Sequence, residues 1–317
     1  MTPAGVGAGG ATGGPWSPTS PCTPACLPIP VPDDGWLRFR RRLRTVVRMT
    51  GLVAVLLAGV PLAVLAPLLG PRAVGRVQAA WCGALLGAAG VTVVVTGPRP
   101  AAGSLVVANH VSWLDVLALN RIVPVRMLAK VEVRGWPLIG PMAARVGTVF
   151  LERDRLRALP AAVAAVADAL RAGGCVGVFA EGTTRCGRDL GRFRPAAFQA
   201  ALDAGAPVVP VALSYADAHG TVDATAAFVG DDDLLASLLR VAAAPRTLLT
   251  VRVLPAWTGA VPARSVAGEP ARRGGARAAA AAITAALPAA AADPRPVPAA
   301  HVPARPVVHR GEVTRAA

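Results

Sequence analysis

Leu105-Val106-Val107-Ala108-Asn109-His110-Val111-Ser112-Trp113-Leu114-Asp115 is the stretch from which the rest of this chain can be read. Its first four residues are a short apolar run of the kind that forms a buried strand, and they lead through a turn into helix-compatible sequence. A histidine is left at the strand's end and a carboxylate five residues later. On one continuous helix five residues amount to about 500° of rotation, which would point the two side chains to different faces. They converge only with His110 in the turn and Asp115 in the first turn of a helix over 113–119, for which Ser112 is a suitable N-cap. There the positive end of the helix favours an ionised Asp115. His110 can then accept a proton from a substrate hydroxyl while Asp115 fixes its tautomer, which makes a general base with its orienter. The plainer alternative is a histidine that caps the helix and an aspartate that serves its dipole.

On either side of this stretch the pattern alternates. Strands are expected at Val91–Thr96, Leu105–Ala108, 125–129, 148–151, Cys175–Phe179, 208–213 and 248–254, and helices at 113–119, 155–172, 195–204 and 232–243. Gly173 and Gly205 stand where two of the helices should stop, and Pro195 suits a first helical position. Alternation of this kind predicts an α/β fold, a mixed sheet flanked by helices, with its loops gathered at one edge where open sheets bind ligands.

Three further blocks lie along that frame. They are Gly147-Thr148-Val149-Phe150-Leu151-Glu152-Arg153; Phe179-Ala180-Glu181-Gly182-Thr183-Thr184-Arg185 with Arg192-Phe193-Arg194-Pro195 close behind; and Ala206-Pro207-Val208-Val209-Pro210-Val211-Ala212-Leu213. In this order and spacing the four blocks closely resemble those of the glycerolipid acyltransferase family, over roughly residues 91–254. The resemblance implies that family's fold. It implies that His110 deprotonates a free hydroxyl on a lysolipid, that Asp115 orients it, and that the oxygen attacks the thioester of acyl-CoA or acyl-carrier protein. It implies no metal, no cofactor beyond that co-substrate, and no acyl-enzyme on a serine or cysteine.

The other matching residues suit an anion site. Arg153 closes a strand, and a guanidinium fork matches phosphate oxygens. Glu181, Gly182, Thr183, Thr184 and Arg185 offer a flexible glycine, two hydroxyls and a second guanidinium, and Arg194 stands where the family often carries lysine. Glu181 could position an arginine or accept from the glycerol backbone, and the sequence leaves both open. One departure bears on the acceptor: the commonest family form has arginine directly after Glu-Gly-Thr, where this chain has Thr184 and then Arg185.

The chain has 317 residues, is 54% hydrophobic and carries a net charge of +15, with Lys130 its only lysine. Such a charge could suit nucleic acid, but aromatics are only 4% and no stacking platform is visible. Six arginines, Arg38, Arg40, Arg41, Arg42, Arg44 and Arg48, stand directly before the apolar run 49–70. That arrangement suits anionic membrane lipid, at about 1 kcal/mol per residue near the surface, and a cytoplasmic flank. The run is about 33 Å long if helical, enough for a bilayer core. A second apolar helix over 77–89 is only about 20 Å. Arg72 and Arg76 between them disfavour passage of the connecting loop, so a monotopic hairpin on the cytoplasmic face is expected rather than two spans. The alternative is two core helices of a soluble protein.

The expected organisation is a disordered Pro/Gly-rich lead (1–34), a basic and apolar two-helix membrane module (35–90), the acyltransferase domain (91–259) and an Ala/Pro/Arg-rich tail (260–317), largely disordered with a possible helix over 272–287. No cleavable secretory signal is expected. The cysteines, Cys22, Cys26, Cys82, Cys175 and Cys186, are odd in number and form no metal-ligand pattern beyond the pair near the terminus; this fits a reducing compartment, with Cys186 a bystander. The leading function is acylation of a lysophospholipid, most simply lysophosphatidic acid to phosphatidic acid. A lyso-ornithine lipid or other lysolipid acceptor is the alternative within the class, and a non-catalytic lipid-binding membrane protein the alternative outside it.

Overall fold

A computed structural model of the chain describes residues 20–28, 34–136, 139–152, 155–230, 232–258 and 270–288. Seven strands, β1 (Val91–Thr96), β2 (Leu105–Ala108), β3 (Val125–Lys130), β4 (Val149–Leu151), β5 (Cys175–Phe179), β6 (Val208–Ala216) and β7 (Thr247–Val253), form one sheet in the order β1-β7-β6-β2-β5-β3-β4. Every pairing is parallel except β6 with β7. β2 is the middle strand and all four of its residues are buried, as expected for a parallel strand covered on both faces.

The helices are α1 (Gly35–Leu65), α2 (Pro71–Ala88), α3 (Leu114–Ile122), α4 (Ile139–Arg145), α5 (Leu159–Arg171), α6 (Ala196–Ala204), α7 (Leu234–Ala243) and α8 (Ala271–Ala286). On one face of the sheet, Val106 and Ala108 of β2 join Leu86 of α2, Leu114 and Leu119 of α3 and Val241 of α7. On the other, Leu105 and Val107 join Leu170 of α5, Phe198 of α6 and Ile283 of α8. The chain therefore leaves β2 toward one face, through α3, and leaves the adjacent β5 toward the other, through α6. Two neighbouring parallel strands whose connections part in this way open a crevice at their carboxyl ends, and ligands bind in such crevices.

The architecture is the expected mixed sheet with flanking helices, and the differences are local. α3 starts at Leu114 rather than at 113, and Ser112 Oγ is 3.4 Å from the Leu114 N–H, so Ser112 is a weak cap. α4 was not expected, because Gly140 and Pro141 are poor helix formers. The expected helix over 272–287 is present, and Ala276, Ala279 and Ile283 bury it in the body; it is no part of a loose tail. The remaining stretches of the anticipated lead and tail, 1–19, 29–33, 260–269 and 289–317, lie outside the described residues.

The N-terminal helices depart most from expectation. Asp34 caps α1 by accepting from the Leu37 N–H at 2.7 Å, so the basic run belongs to the helix rather than preceding it. α1 spans 31 residues, about 46 Å. Pro71 starts α2 at a position where its missing N–H costs nothing, and Arg72 and Arg76 fall inside that helix rather than in a connector. α2 is thus 18 residues long, about 27 Å rather than 20 Å. Close approach of the two helices is possible because Gly59 faces the Trp81 ring, where a Cβ would sit 2.7 Å from ring atoms; Trp81 Nε1 donates to the Val55 carbonyl. Arg44 donates to the Ala243 carbonyl, and Arg48 to the carbonyls of Ala242, Ala244 and Pro245. These guanidiniums satisfy the open carbonyl end of α7 and sit at its negative pole. At least two of the six arginines expected to attract lipid are therefore engaged within the protein. Only Leu52 and Gly59 of α1 are buried, which excludes a core helix, while Trp36, Phe39, Val47, Leu57 and Val64 are exposed.

Candidate active site

The loop after β2 delivers His110 and Asp115 together. His110 Nδ1 lies 3.0 Å from Asp115 Oδ2. The same oxygen accepts from the N–H groups of Val111 at 2.7 Å and Ser112 at 2.8 Å, and Oδ1 accepts from the Tyr215 hydroxyl at 2.5 Å. Asp115 is fully buried. A carboxylate against Nδ1 selects the tautomer with its proton on Nδ1, which leaves Nε2 as the basic nitrogen. The imidazole lies flat on Phe179 at the end of β5, with centroids 3.8 Å apart and planes 3° from parallel; its side chain is 19% exposed. The strand end itself is tied down by Asn109, whose side chain exchanges hydrogen bonds with the Leu213 backbone of β6 at 2.9 and 2.8 Å.

The loop after β5 grips the backbone of the same histidine. Glu181 Oε1 accepts from the His110 N–H at 3.0 Å, and the Arg185 N–H donates to the His110 carbonyl at 2.8 Å. Glu181 Oε2 accepts from the Gly191 N–H at 2.7 Å and pairs with Arg185 Nε at 3.2 Å. Arg185 Nη1 reaches Asp189 at 2.6 Å. Burial pushes the Glu181 carboxyl up to about 7, against the opposing pull of the His110 and Gly191 N–H groups and of Arg185, with Asp189 adding to the rise. Tyr215 is pushed well above the usual phenol range, by burial first and then by the Asp115 charge. Gly191 lets the brace close: a Cβ there would sit 2.5 Å from Arg185 Nε and 2.8 Å from Glu181 Oε2, and those side chains would have to shift.

Of the residues anticipated from the sequence, His110, Asp115, Glu181 and Arg185 meet at one strand edge. Of the two roles left open for Glu181, its contacts fit that of positioning an arginine: both oxygens are used inside the protein. Arg185 was expected as an anion fork, yet two of its nitrogens are held by carboxylates, which fits a brace better. Gly182 makes the turn out of β5 with φ 75°. Thr183 and Thr184 are half-buried, and Arg194 is exposed. Arg153 lies outside the described residues.

Tyr215, Phe179, Asn109 and Gly191 received no role from the sequence. Tyr215 carried one usable signal, being the chain's only tyrosine at the end of the strand beside β2. The cysteines also depart from expectation: Cys22, Cys26 and Cys186 are buried and converge, so the pair near the terminus is neither loose nor alone.

The sequence model of the Acyltransferase family matches residues 91–214. The lyso-ornithine lipid O-acyltransferase of Pseudomonas aeruginosa is 39% identical over 178 residues, which are 55% of this chain and 67% of that protein. The 1-acyl-sn-glycerol-3-phosphate acyltransferase of Neisseria meningitidis serogroup B is 39% identical over 164 residues, 52% of this chain and 63% of that protein. Among solved structures, the 1-acyl-sn-glycerophosphate (LPA) acyltransferase of Thermotoga maritima has the same fold, with a TM-score of 0.58 at 19% identity, covering 79% of this chain and 97% of that one. The chain belongs to the glycerolipid acyltransferase family. It spans about two thirds or less of the length of these two curated relatives.

Proposed function

We propose that this protein is a membrane-associated lysolipid O-acyltransferase whose acceptor is lysophosphatidic acid and whose donor is acyl-CoA or acyl-carrier protein. The observation that carries the proposal is the His110–Asp115 pair at the carboxyl end of β2, with Nε2 left free to act. His110 Nε2 takes the proton of the acceptor hydroxyl as its oxygen attacks the thioester carbonyl. The resulting imidazolium is stabilised by Asp115. As the tetrahedral adduct collapses, the C–S bond breaks and the departing sulfur takes the proton back from Nε2. The ester and a free thiol are the products, and His110 is restored. Base assistance of this kind contributes about 10²–10⁴-fold. Asp115, Phe179 and Glu181 act by positioning the base.

The two curated relatives divide between two acceptors, and the engagement of Arg185 by Glu181 and Asp189 leaves less guanidinium for a phosphate. That favours lyso-ornithine lipid as the second reading, with the same base and the same donor. Thiol release from acyl-CoA by the detergent-purified chain, wild type and His110→Ala, decides between them. Release that depends on lysophosphatidic acid and falls at least about a hundredfold in the variant is the expected result. Release with lyso-ornithine lipid alone moves the enzyme to the second acceptor. Silence with every acceptor and with both donors defeats the catalytic reading.

The exposed apolar face of α1 supports insertion into one leaflet at the cytoplasmic side. Both helices are fastened to the body, α1 through Arg44 and Arg48 and α2 through Gln78, whose amide donates to Asn120 Oδ1 of α3, which fits a hairpin lying in the surface better than two spans. Exposed Arg40 and Arg42 supply the attraction to anionic lipid. Flotation with anionic vesicles should carry the wild type and lose Leu57→Glu/Val64→Glu; equal flotation of both would refute insertion through this face.

A further inference from the structure

Residues 20–28 cross the loop that braces His110. Ser20 Oγ donates to the Thr184 carbonyl at 2.8 Å, the Cys186 N–H donates to Cys22 Sγ at 3.2 Å, and Arg188 Nη2 donates to the Cys26 carbonyl at 3.1 Å. Within this segment the only buried side chains are those of Cys22 and Cys26. They point at Cys186, and the three sulfurs all lie within 4.8 Å of one another, each residue 1–2% exposed. Ordering an irregular segment costs conformational entropy at every residue. Two small thiols and a half-buried Leu27 packed against the core bury little apolar area against that cost. The strap needs another source of stability, and its chemistry is visible in what it buries.

Three mutually adjacent thiols fit a metal better than a disulfide, which would use two sulfurs and leave a third buried for nothing. In a tetrahedral zinc–thiolate site the sulfurs stand about 3.8 Å apart, set by Zn–S bonds of about 2.3 Å, so the cluster has at most about 1 Å to close. Cys22 and Cys26 have the short spacing of a metal-binding pair, and the turn Pro24–Cys26 brings both sulfurs to one side. Among the described residues no histidine, carboxylate or further cysteine joins them.

We propose that Cys22, Cys26 and Cys186 bind one thiophilic divalent ion of the zinc class, which pins residues 20–28 to the loop 181–194. On binding, each thiol that becomes a thiolate ligand releases its proton to solvent. The ion takes no part in acyl transfer. Its effect is to hold the loop whose Glu181 and Arg185 fix the backbone of His110.

The test uses the full chain, purified without chelators and with a phosphine reductant. Elemental analysis should find about one zinc per chain in the wild type and in Cys175→Ser, whose cysteine lies elsewhere, and little in Cys22→Ser. Cobalt added to metal-free wild type should give the intense near-ultraviolet charge-transfer absorption of thiolate ligands, saturating at one equivalent and absent in Cys186→Ser. Because the cobalt titration is read on the wild type, a misfolded variant does not obscure it. Metal-free protein that develops no such band overturns the proposal, as does a band that persists in both Cys22→Ser and Cys186→Ser. A Cys22–Cys186 disulfide recovered as the dominant form, from cells lysed into a thiol-blocking reagent, would also overturn it and make the cluster a redox pair.

Discussion

Asp115 and Glu181 are both buried carboxylates, and both hold His110, one from each side. Asp115 holds the ring: its four hydrogen-bond donors are His110 Nδ1, two backbone N–H groups from the same turn and the Tyr215 hydroxyl. Glu181 holds the main chain: its partners are the His110 and Gly191 N–H groups and Arg185. One carboxylate sets the tautomer and the direction of the base, and the other sets where the loop carrying the base stands. Burial pushes Glu181 up to about 7, so this brace changes its charge near neutrality. The difference shows that proximity to a catalytic residue does not define a role; the atom being held does.

Asp115→Asn tests this contrast most severely. The amide removes the charge that stabilises the imidazolium, while its oxygen can keep the Oδ2 place against Nδ1–H and the two backbone N–H groups and its NH₂ can donate to the Tyr215 hydroxyl, so the loss reports the charge. The expected outcome is a fall in kcat of about 10²–10⁴-fold with a native circular dichroism spectrum, measured at saturating acceptor. A loss of equal size in Glu181→Gln, with its fold intact, would erase the distinction between the two carboxylates.

Glu181→Ala comes next in size, and its effect is on stability. The substitution strips two half-buried N–H groups of their acceptor and takes one of two carboxylates from Arg185. We expect a destabilisation of about 3 kcal/mol, read from the midpoint of chemical denaturation. Activity per folded molecule should fall less than in Asp115→Asn. If stability is unchanged, the loop is braced by something other than Glu181.

The raised carboxyl of Glu181 gives a pH dependence whose sign can be worked out. In the unfolded chain it titrates near 4.5 and in the fold near 7. Between those values the folded state binds more protons than the unfolded one, so stability from this group is full below the lower value and is lost as pH rises through the upper. Relative to Glu181→Gln, which does not titrate, the wild type should lose on the order of 2 kcal/mol between about pH 5 and about pH 8. A difference that is flat across that range would mean that Arg185 and the two N–H groups cancel the effect of burial, and one of opposite slope that they outweigh it.

The legibility of these features depends on the sequence distance over which each is decided. β2 and the His110–Asp115 pair are fixed within eleven consecutive residues, where strand, turn and helix onset dictate the geometry. Val91–Thr96 and Cys175–Phe179 likewise fall where their apolar runs end. Glu181 belongs to a recognisable motif, yet its function depends on His110, 71 residues earlier, and on a glycine that no local pattern singles out. Arg44 and Arg48 stand in a basic run that has the same appearance whether it meets lipid or caps α7, whose carbonyls are nearly two hundred residues away. Cys22 and Cys186 lie 164 residues apart and become neighbours only once β5 and the strap are both in place. Local periodicity determines elements, and contacts across the sheet decide which polar side chains are used.

Tyr215 gives the smallest effect and the finest test of how Asp115 works. Its hydroxyl reaches Oδ1, whereas His110 and the Val111 and Ser112 N–H groups all meet Oδ2. Tyr215→Phe therefore removes one donor from a buried carboxylate and leaves the oxygen that grips the imidazole with its own partners. A hydrogen bond to a charged group contributes about 1.5 kcal/mol or somewhat more, and the variant should lose about that much stability. Because the Nδ1 contact survives, kcat should fall by less than about tenfold, with KM for the acceptor unchanged. A loss approaching that of Asp115→Asn would show that the orientation of the carboxylate is set from Oδ1, across 100 residues of sequence, and not by the turn in which Asp115 and His110 lie.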